Sequence, residues 1–421
     1  MSYRPRVVDS ELAERLASAG AVLIEGPKAS GKTATARHHA RSEVLLDVDH
    51  GARQSIDIDP GLVLSGATPR LIDEWQLAPS LWNTVRREVD TRQKPGQFIL
   101  TGSATPADDA TRHSGAGRFS RLAMRPMSLW ESGESDGSVS LREMLDEVAP
   151  HAPQSTLSFD GVVEALCRGG WPALVDAPSR DARRANRDYL ADIARTDIHT
   201  VDGVKRDPSR VAATLAALSR HVATELKHRT ITADASRHGD HELPADPETV
   251  ANYIDALERL LLVEYQSPWA PHLRSRSRVR NVPKFHFVDP SLAIAGLRAD
   301  AASLKADLNT LGLLFESLVV RDLRVYSQPL DARVLHYRDN TGLEVDAIVA
   351  APDQKWIACE VKLSSAPKII DDAAAGLLEF KARVDDSRSG QAAALVVITA
   401  SGYAYRRPDG VSVVPIGALG P

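Results

Sequence analysis

The chain has 421 residues, 43% of them hydrophobic and 25% charged. This is the make-up of a globular protein of about two to three domains, because single cores stop growing near ~250–300 residues. No run approaches the ~20 apolar residues of a membrane span and residues 1–6 carry no apolar signal core, so a cytoplasmic protein without membrane contact is expected. The net charge of −5 leaves any nucleic-acid binding to local basic patches, and Cys167 and Cys359 stand far apart without metal-type spacing, which argues against a zinc site or a disulfide framework.

The first informative run is the apolar strand candidate 21–25, followed by Gly26, Pro27, Lys28, Ala29, Ser30, Gly31, Lys32 and Thr33, then by helix-forming residues from Ala34. Strand, Gly-Lys-Thr loop and helix in this order make a phosphate-binding loop. The glycines let backbone N–H groups curl towards a β-phosphate, Lys32 reaches the β/γ oxygens and Thr33 offers a hydroxyl to Mg²⁺. Residues 26–34 and Thr101 are therefore the expected ATP contacts. Further strands are expected at 44–47, 70–73, 97–101 and 122–125, alternating with helices as in a parallel sheet covered on both faces. Asp73 and Glu74 end one of them. Asp73 is expected to hold Mg²⁺ through water and Glu74 to polarise the attacking water. The run from Phe98 to Ser103 ends in hydroxyls placed to sense a γ-phosphate. Arg118 is a candidate arginine finger or γ-phosphate sensor, in competition with Arg112, Arg121, Arg125 and a plain surface role. Asp47 and Asp49 read as turn carboxylates, and Trp75 and Trp171 as packing residues.

A looser stretch at 131–137 leads into helical segments, with 160–175 a small lid or connector of no assigned chemistry. Three helices are expected at 210–224, 232–236 and 246–262, the last with Asp246 as cap and Pro247 in its first turn. The strand-like 263–266 follows, an order that suits a winged helix. Behind it Arg274, Arg276, Arg278 and Arg280 alternate with Ser275, Ser277 and Val279. In an extended chain all four project from one side, either as a comb for phosphates or as a solvated loop.

The last third reads as a helix from about residue 308, strands near 333–338, 343–350 and 356–363, a helix at 369–384 and a strand at 392–399. A short turn at 352–355 makes two of these strands an antiparallel hairpin, which brings Asp346 towards Glu360. Alternation puts Glu360 and Lys362 on one face. Asp346 and Glu360 are therefore candidate ligands of a divalent ion and Lys362 a candidate catalytic lysine. The plainer reading is a half-exposed strand whose charges pair across the sheet.

The runs GPKASGKT at 26–33, LIDEWQLAPSLWNTVRREVD at 71–90 and QFILTGSA at 97–104 resemble the prokaryotic AAA-type ATPases that carry a C-terminal domain of the DUF4143 type. So do Gly169-Gly170-Trp171-Pro172, Asp188-Tyr189-Leu190, Arg195-Thr196-Asp197 and the run from Lys284 to Asp289. The resemblance covers nearly the whole chain and implies an ATPase, with the family's biological role poorly defined. The set Glu316, Asp346, Glu360 and Lys362 in an α-β-β-β-α-β order is similar to the PD-(D/E)xK nuclease superfamily, a resemblance that implies Glu316 as a further metal-side acid on the helix. The expected fold class is α/β: an AAA/RecA-like P-loop domain at 1–130, a helical lid or connector at 131–205, a winged-helix-like module at 206–300, and a restriction-endonuclease-like domain at 301–421. Two functions are expected. One is an ATP-driven enzyme acting on nucleic acid, DNA before RNA, with metal-dependent nuclease cleavage as one form of that action. The other is an ATP-dependent switch that docks DNA or a protein partner without cleavage. Assembly into an oligomer is compatible with both.

Overall fold

The computed structural model describes residues 3–102, 115–236, 246–270, 282–384 and 389–421. The chain divides into two compact units. The first comprises Met1–Pro126, Thr196–Lys205 and Asp255–Leu262, and the second Met127–Arg195, Arg206–Ile254 and Val263–Pro421.

In the first unit, β1 (Ala21–Glu25), β2 (Ser42–Leu45), β3 (Arg70–Asp73), β4 (Phe98–Gly102) and β5 (Phe119–Ala123) form one sheet in the order β2-β3-β4-β1-β5. Every pairing is parallel. Ala21 to Ile24 of β1 and Phe98 to Leu100 of β4 are buried, which is why these strands read as unbroken apolar runs rather than alternations. Leu23, Ile72, Trp82 and Leu100 pack on one face of the sheet; Leu12, Val22, Ile24 and Ile99 pack on the other. β5 begins at Phe119 rather than at residue 122, since it pairs Phe119 with Ala21 and Ala123 with Glu25. β1 therefore delivers its loop at the C-terminal edge of the sheet, where open α/β sheets hold ligands.

The second unit contains β6 (Val139–Ser140), β7 (Ala152–Gln154), β8 (Thr224–Glu225), β9 (Val263–Gln266), β10 (Lys284–Phe287), β11 (Arg333–Arg338), β12 (Glu344–Ala350), β13 (Trp356–Lys362), β14 (Ala392–Thr399), β15 (Tyr403–Arg406), β16 (Ser412–Pro415) and β17 (Leu419–Gly420). Its large sheet has the order β11-β12-β13-β14-β16-β15-β7. β11, β12 and β13 are an antiparallel meander, and β13, β14 and β16 run parallel. The helix Leu308–Ser327 precedes the meander and Pro367–Arg383 connects β13 to β14, which gives the expected α-β-β-β-α-β order. Asp307 caps the first of these helices by accepting the Thr310 N–H at 3.1 Å. Val345, Trp356, Leu377, Phe380 and Val397 belong to the core between sheet and helix.

Residues 131–205 do not form a separate connector. β7 is the edge strand of the large sheet and β6 pairs with β17. The short Ala152-Pro153-Gln154 has no apolar alternation to announce a strand, and its proline confines it to an edge. A smaller antiparallel sheet, β8-β10-β9, accompanies the helices Pro208–Arg220, His228–Ala235 and Pro247–Arg259. The first helix stops at Arg220, short of the expected residue 224, because Thr224 already pairs in β8. Asp246 caps the third as expected, accepting the N–H groups of Glu248 and Thr249 at 3.1 and 3.2 Å. Arg274, Arg276, Arg278 and Arg280 lie outside the described residues, as does Arg112.

Candidate nucleotide site and acid cluster

At the end of β1 the chain turns through a loop whose glycines are sterically required. A Cβ on Gly26 would stand 2.1 Å from the Met124 carbonyl oxygen, so only glycine lets the loop pass the exit of β5. Gly31, with φ 102°, takes the left-handed conformation just before the helix Lys32–His39, and Ala29 does so at φ 62°. No side chain caps that helix, which leaves its first N–H groups for a ligand, the arrangement that favours anions.

Lys32 opens the helix and is 6% exposed. Its ammonium donates to the carbonyls of Gly26 at 2.9 Å and Pro27 at 2.8 Å. Burial pushes it down to about 8, with Glu74 and Asp73 pulling the other way. Thr33 donates its hydroxyl to Asp73 Oδ1 at 2.9 Å. Thr101 donates to the same oxygen, because β4 lies between β1 and β3 and sets Thr101 beside Ile24. Asp73 thus gathers both hydroxyls, and Thr101 serves the carboxylate rather than pointing freely at a γ-phosphate. Glu74 follows in a left-handed conformation at φ 54° and accepts from the Gln76 amide.

Arg6 was not singled out in the sequence. Its guanidinium, 6% exposed, donates to the Ser30 carbonyl at 2.9 Å and to the Arg125 carbonyl at 2.8 Å, so it ties the phosphate loop to the exit of β5. Lys28 pairs with Asp197 at 2.5 Å. Asp49 caps the helix His50–Ile58 through the Ala52 N–H at 2.8 Å, in keeping with a turn carboxylate.

Arg118 does not join the site within one chain. It precedes Phe119, which pairs with Ala21 at the start of β1, whereas the phosphate loop leaves the end of β1. Roughly 15 Å of strand separates the two edges. Arg118 instead pairs with Asp90 at 2.8 Å, and Arg121 pairs with Glu25 at 2.6 Å. Of the described arginines weighed for this role, Arg125 follows β5 on the phosphate-loop edge.

In the second unit, Glu316, Asp346, Glu360 and Lys362 do converge, but around a residue the site reading did not include. Lys284 opens β10 and is 3% exposed. Its ammonium lies 2.8 Å from Glu316 Oε1, 2.8 Å from Glu344 Oε1 and 3.7 Å from Asp346 Oδ1. Burial works against that charge, but Glu316, Asp346 and Glu344 overcome the penalty and hold the ammonium above its ordinary range. Asp346 Oδ2 accepts the Val361 N–H at 2.8 Å, and Glu360 accepts from Lys362 at 2.6 Å. Burial, reinforced by the Asp346 charge, pushes Glu316 and Glu360 each up to about 8.

Two metal expectations therefore part company. At the phosphate loop the donor set fits Mg²⁺, which takes one or two protein oxygens and completes its shell from phosphates and water. Thr33 and Asp73 supply such oxygens side by side. At the acid cluster the expected ligands Glu316, Asp346 and Glu360 fit a metal poorly, because Lys284 and Lys362 already stand as counter-charges against an oxygen of Glu316 and of Glu360. Among the described residues no three acids, histidines or cysteines are grouped to hold an ion.

A parallel β2-β3-β4-β1-β5 sheet with a Gly-Lys-Thr loop and an acidic partner strand is the arrangement of a P-loop domain of the AAA type. The chain carries a C-terminal DUF4143 domain behind it: residues 18–132 match the AAA domain family and 311–419 the domain of unknown function DUF4143. Residues 160–303 match a further domain of unknown function, DUF8612. Uncharacterised proteins of Mycobacterium bovis and Mycobacterium tuberculosis are each 25% identical over 420 residues, 99% of this chain and 84% of theirs. Among solved structures, the Walker-type ATPase of Pyrococcus abyssi is 14% identical with a TM-score of 0.42, over 71% of this chain and 99% of that one. A DNA replication initiation factor is 14% identical with a TM-score of 0.23, over 61% of this chain and 90% of that one. No described helix is long and apolar enough to cross a membrane.

Proposed function

We propose that the chain binds ATP with Mg²⁺ at residues 26–34 and hydrolyses it, and that the nucleotide state governs engagement of a nucleic acid, DNA before RNA, or of a protein partner. The observation that carries the ATPase reading is the hydrogen bond from Thr33 to Asp73 beside the buried Lys32. It joins two motifs forty residues apart into one polar centre at the end of β1. On nucleotide entry Lys32 exchanges the Gly26 and Pro27 carbonyls for phosphate oxygens, while the N–H groups at the start of Lys32–His39 take the β-phosphate. Thr33 and Asp73 would hold Mg²⁺, which when bound would supply positive charge against that of the phosphoryl oxygens. Glu74 orients the attacking water and accepts its proton. The test is phosphate release by the full chain with Mg²⁺ and ATP. Hydrolysis that stops with EDTA and returns with excess Mg²⁺ supports the reading, and a chain that neither binds nor hydrolyses ATP ends it.

The nucleic-acid part rests on the arginine run alone. Replacing Arg274, Arg276, Arg278 and Arg280 by glutamine is expected to weaken binding evenly across sequences. Each lost phosphate contact lowers the slope of log K against log salt by about 0.9 on duplex or about 0.7 on single strand. An unchanged slope moves the preference to a protein partner.

A further inference from the structure

We propose that the Lys284 ammonium is the resident cation of the acid cluster in the second unit, and that the cluster binds no catalytic metal while Lys284 is present. Glu316 comes from the helix Leu308–Ser327, Glu344 and Asp346 from β12, and Lys284 from β10. A lysine 3% exposed at the head of the wholly buried Lys-Phe-His-Phe strand persists only if its charge is matched. Its three N–H donors face oxygens of these carboxylates. That is the task of a divalent cation, performed by a group covalently attached to the chain and so present at fixed stoichiometry. The two contacts of 2.8 Å suit an ammonium, whereas Mg²⁺ requires oxygens at ~2.0–2.1 Å and Ca²⁺ at ~2.3–2.6 Å. A metal would have to displace Lys284 and also strip Glu360 from Lys362 and Asp346 from the Val361 N–H. Lys362, expected as the catalytic lysine, is itself held by Glu360. The cluster is therefore a closed ionic lock joining β10, β12 and the long helix. This conclusion is independent of the nucleotide site.

The test is a Mn²⁺ titration of the nucleotide-free full chain, followed by the electron paramagnetic resonance signal of free Mn²⁺. At about 1 mM Mn²⁺, enough to fill even weak oxygen sites with Kd ~10⁻⁴ M, the wild type is expected to show no site that Glu316→Gln removes. Lys284→Met is expected to gain one bound Mn²⁺ per chain, lost again in Lys284→Met combined with Glu316→Gln. A wild-type Mn²⁺ site abolished by Glu316→Gln overturns the proposal, and so does a folded Lys284→Met chain that binds none. If Lys284→Met does not fold, the comparison of wild type with Glu316→Gln still decides between the two outcomes.

Discussion

Lys32 and Lys284 are almost equally shielded, 6% and 3% exposed, yet their surroundings set them to opposite tasks. Lys32 has only backbone carbonyls for partners, so burial wins and its affinity for a proton falls to about 8. Lys284 has carboxylates on two elements around it, so their charges win and its proton is held more firmly than in water. A buried cation with neutral partners is poised for an incoming anion, and one already surrounded by anions is finished structure. One buried ammonium thus marks a binding site and the other a lock.

The largest expected effect is on turnover at the first of the two. Glu74→Gln should bind ATP yet hydrolyse it more slowly by about 10²–10⁴-fold, the range for a lost positioned base. Lys32→Ala should lose nucleotide binding altogether, as read by calorimetry, with its circular dichroism unchanged. Full turnover in Lys32→Ala would remove the contrast, because Lys32 would then be no more a ligand than Lys284 is; full turnover in Glu74→Gln would put the base elsewhere.

Stability should divide the two lysines in the reverse sense. Lys284→Met leaves buried carboxylates without their counter-charge and should cost about 3–5 kcal/mol in denaturant unfolding. Lys32→Ala removes a desolvated charge whose hydrogen bonds go to carbonyls and should cost no more than about 1 kcal/mol. The pH dependence has a definite sign. Glu316 and Glu360 are raised from the ordinary glutamate range to about 8, so the folded state holds protons that the unfolded state has released between those limits. Their contribution to stability is therefore greatest at acid pH and is lost as pH rises to 8. The penalty of Lys284→Met should accordingly be larger at pH 8 than at pH 5. An equal penalty at both would mean that Glu344 alone carries the partnership.

What could be read from the residues followed the distance over which they act. The phosphate loop is contiguous and its flanking strand is an unbroken apolar run, so its place at the end of β1 is legible in the residues themselves. The same holds for the β12-β13 hairpin, whose short connection between Ala350 and Trp356 sets Asp346 near Glu360. Lys284 reaches Glu316 across 32 positions, and nothing local pairs them. The available signal was a lysine heading the apolar Phe285-His286-Phe287, since a charge in such a strand demands an acid elsewhere. Arg118 is less legible: β5 starts at Phe119, opposite Ala21, which sets Arg118 at the sheet edge remote from the phosphate loop of its own chain.

A smaller effect follows from the Lys32 proton. Below pH 8 the ammonium is charged before ATP arrives, and above it the free protein must take up a proton to pair with the phosphates. ATP affinity should therefore be flat with respect to this group below about pH 7 and fall towards about tenfold per unit above 8. Calorimetry in buffers of differing ionisation enthalpy should show uptake approaching one proton per ATP near pH 9. Lys32→Arg, charged throughout, should abolish that uptake. If the uptake survives in Lys32→Arg, the titrating group is another one and the low-lying ammonium is not what distinguishes this site from the lock.

The smallest effect is expected at Arg118. Its ion pair with Asp90 joins two side chains each 43% exposed, an arrangement worth at most about 1 kcal/mol, and it lies on the sheet edge remote from the phosphate loop of the same chain. Arg118→Ala should leave both unfolding and turnover per chain close to wild type. A loss of about 10³-fold or more, the scale of a missing arginine finger, would mean that Arg118 works in the site of another copy. Turnover would then depend on protein concentration, and mixing Arg118→Ala chains with Lys32→Ala chains would restore part of it, since each retains what the other lacks. Lys32 would in that case receive its phosphates within a site assembled from two chains, whereas the Lys284 lock would still be complete within one.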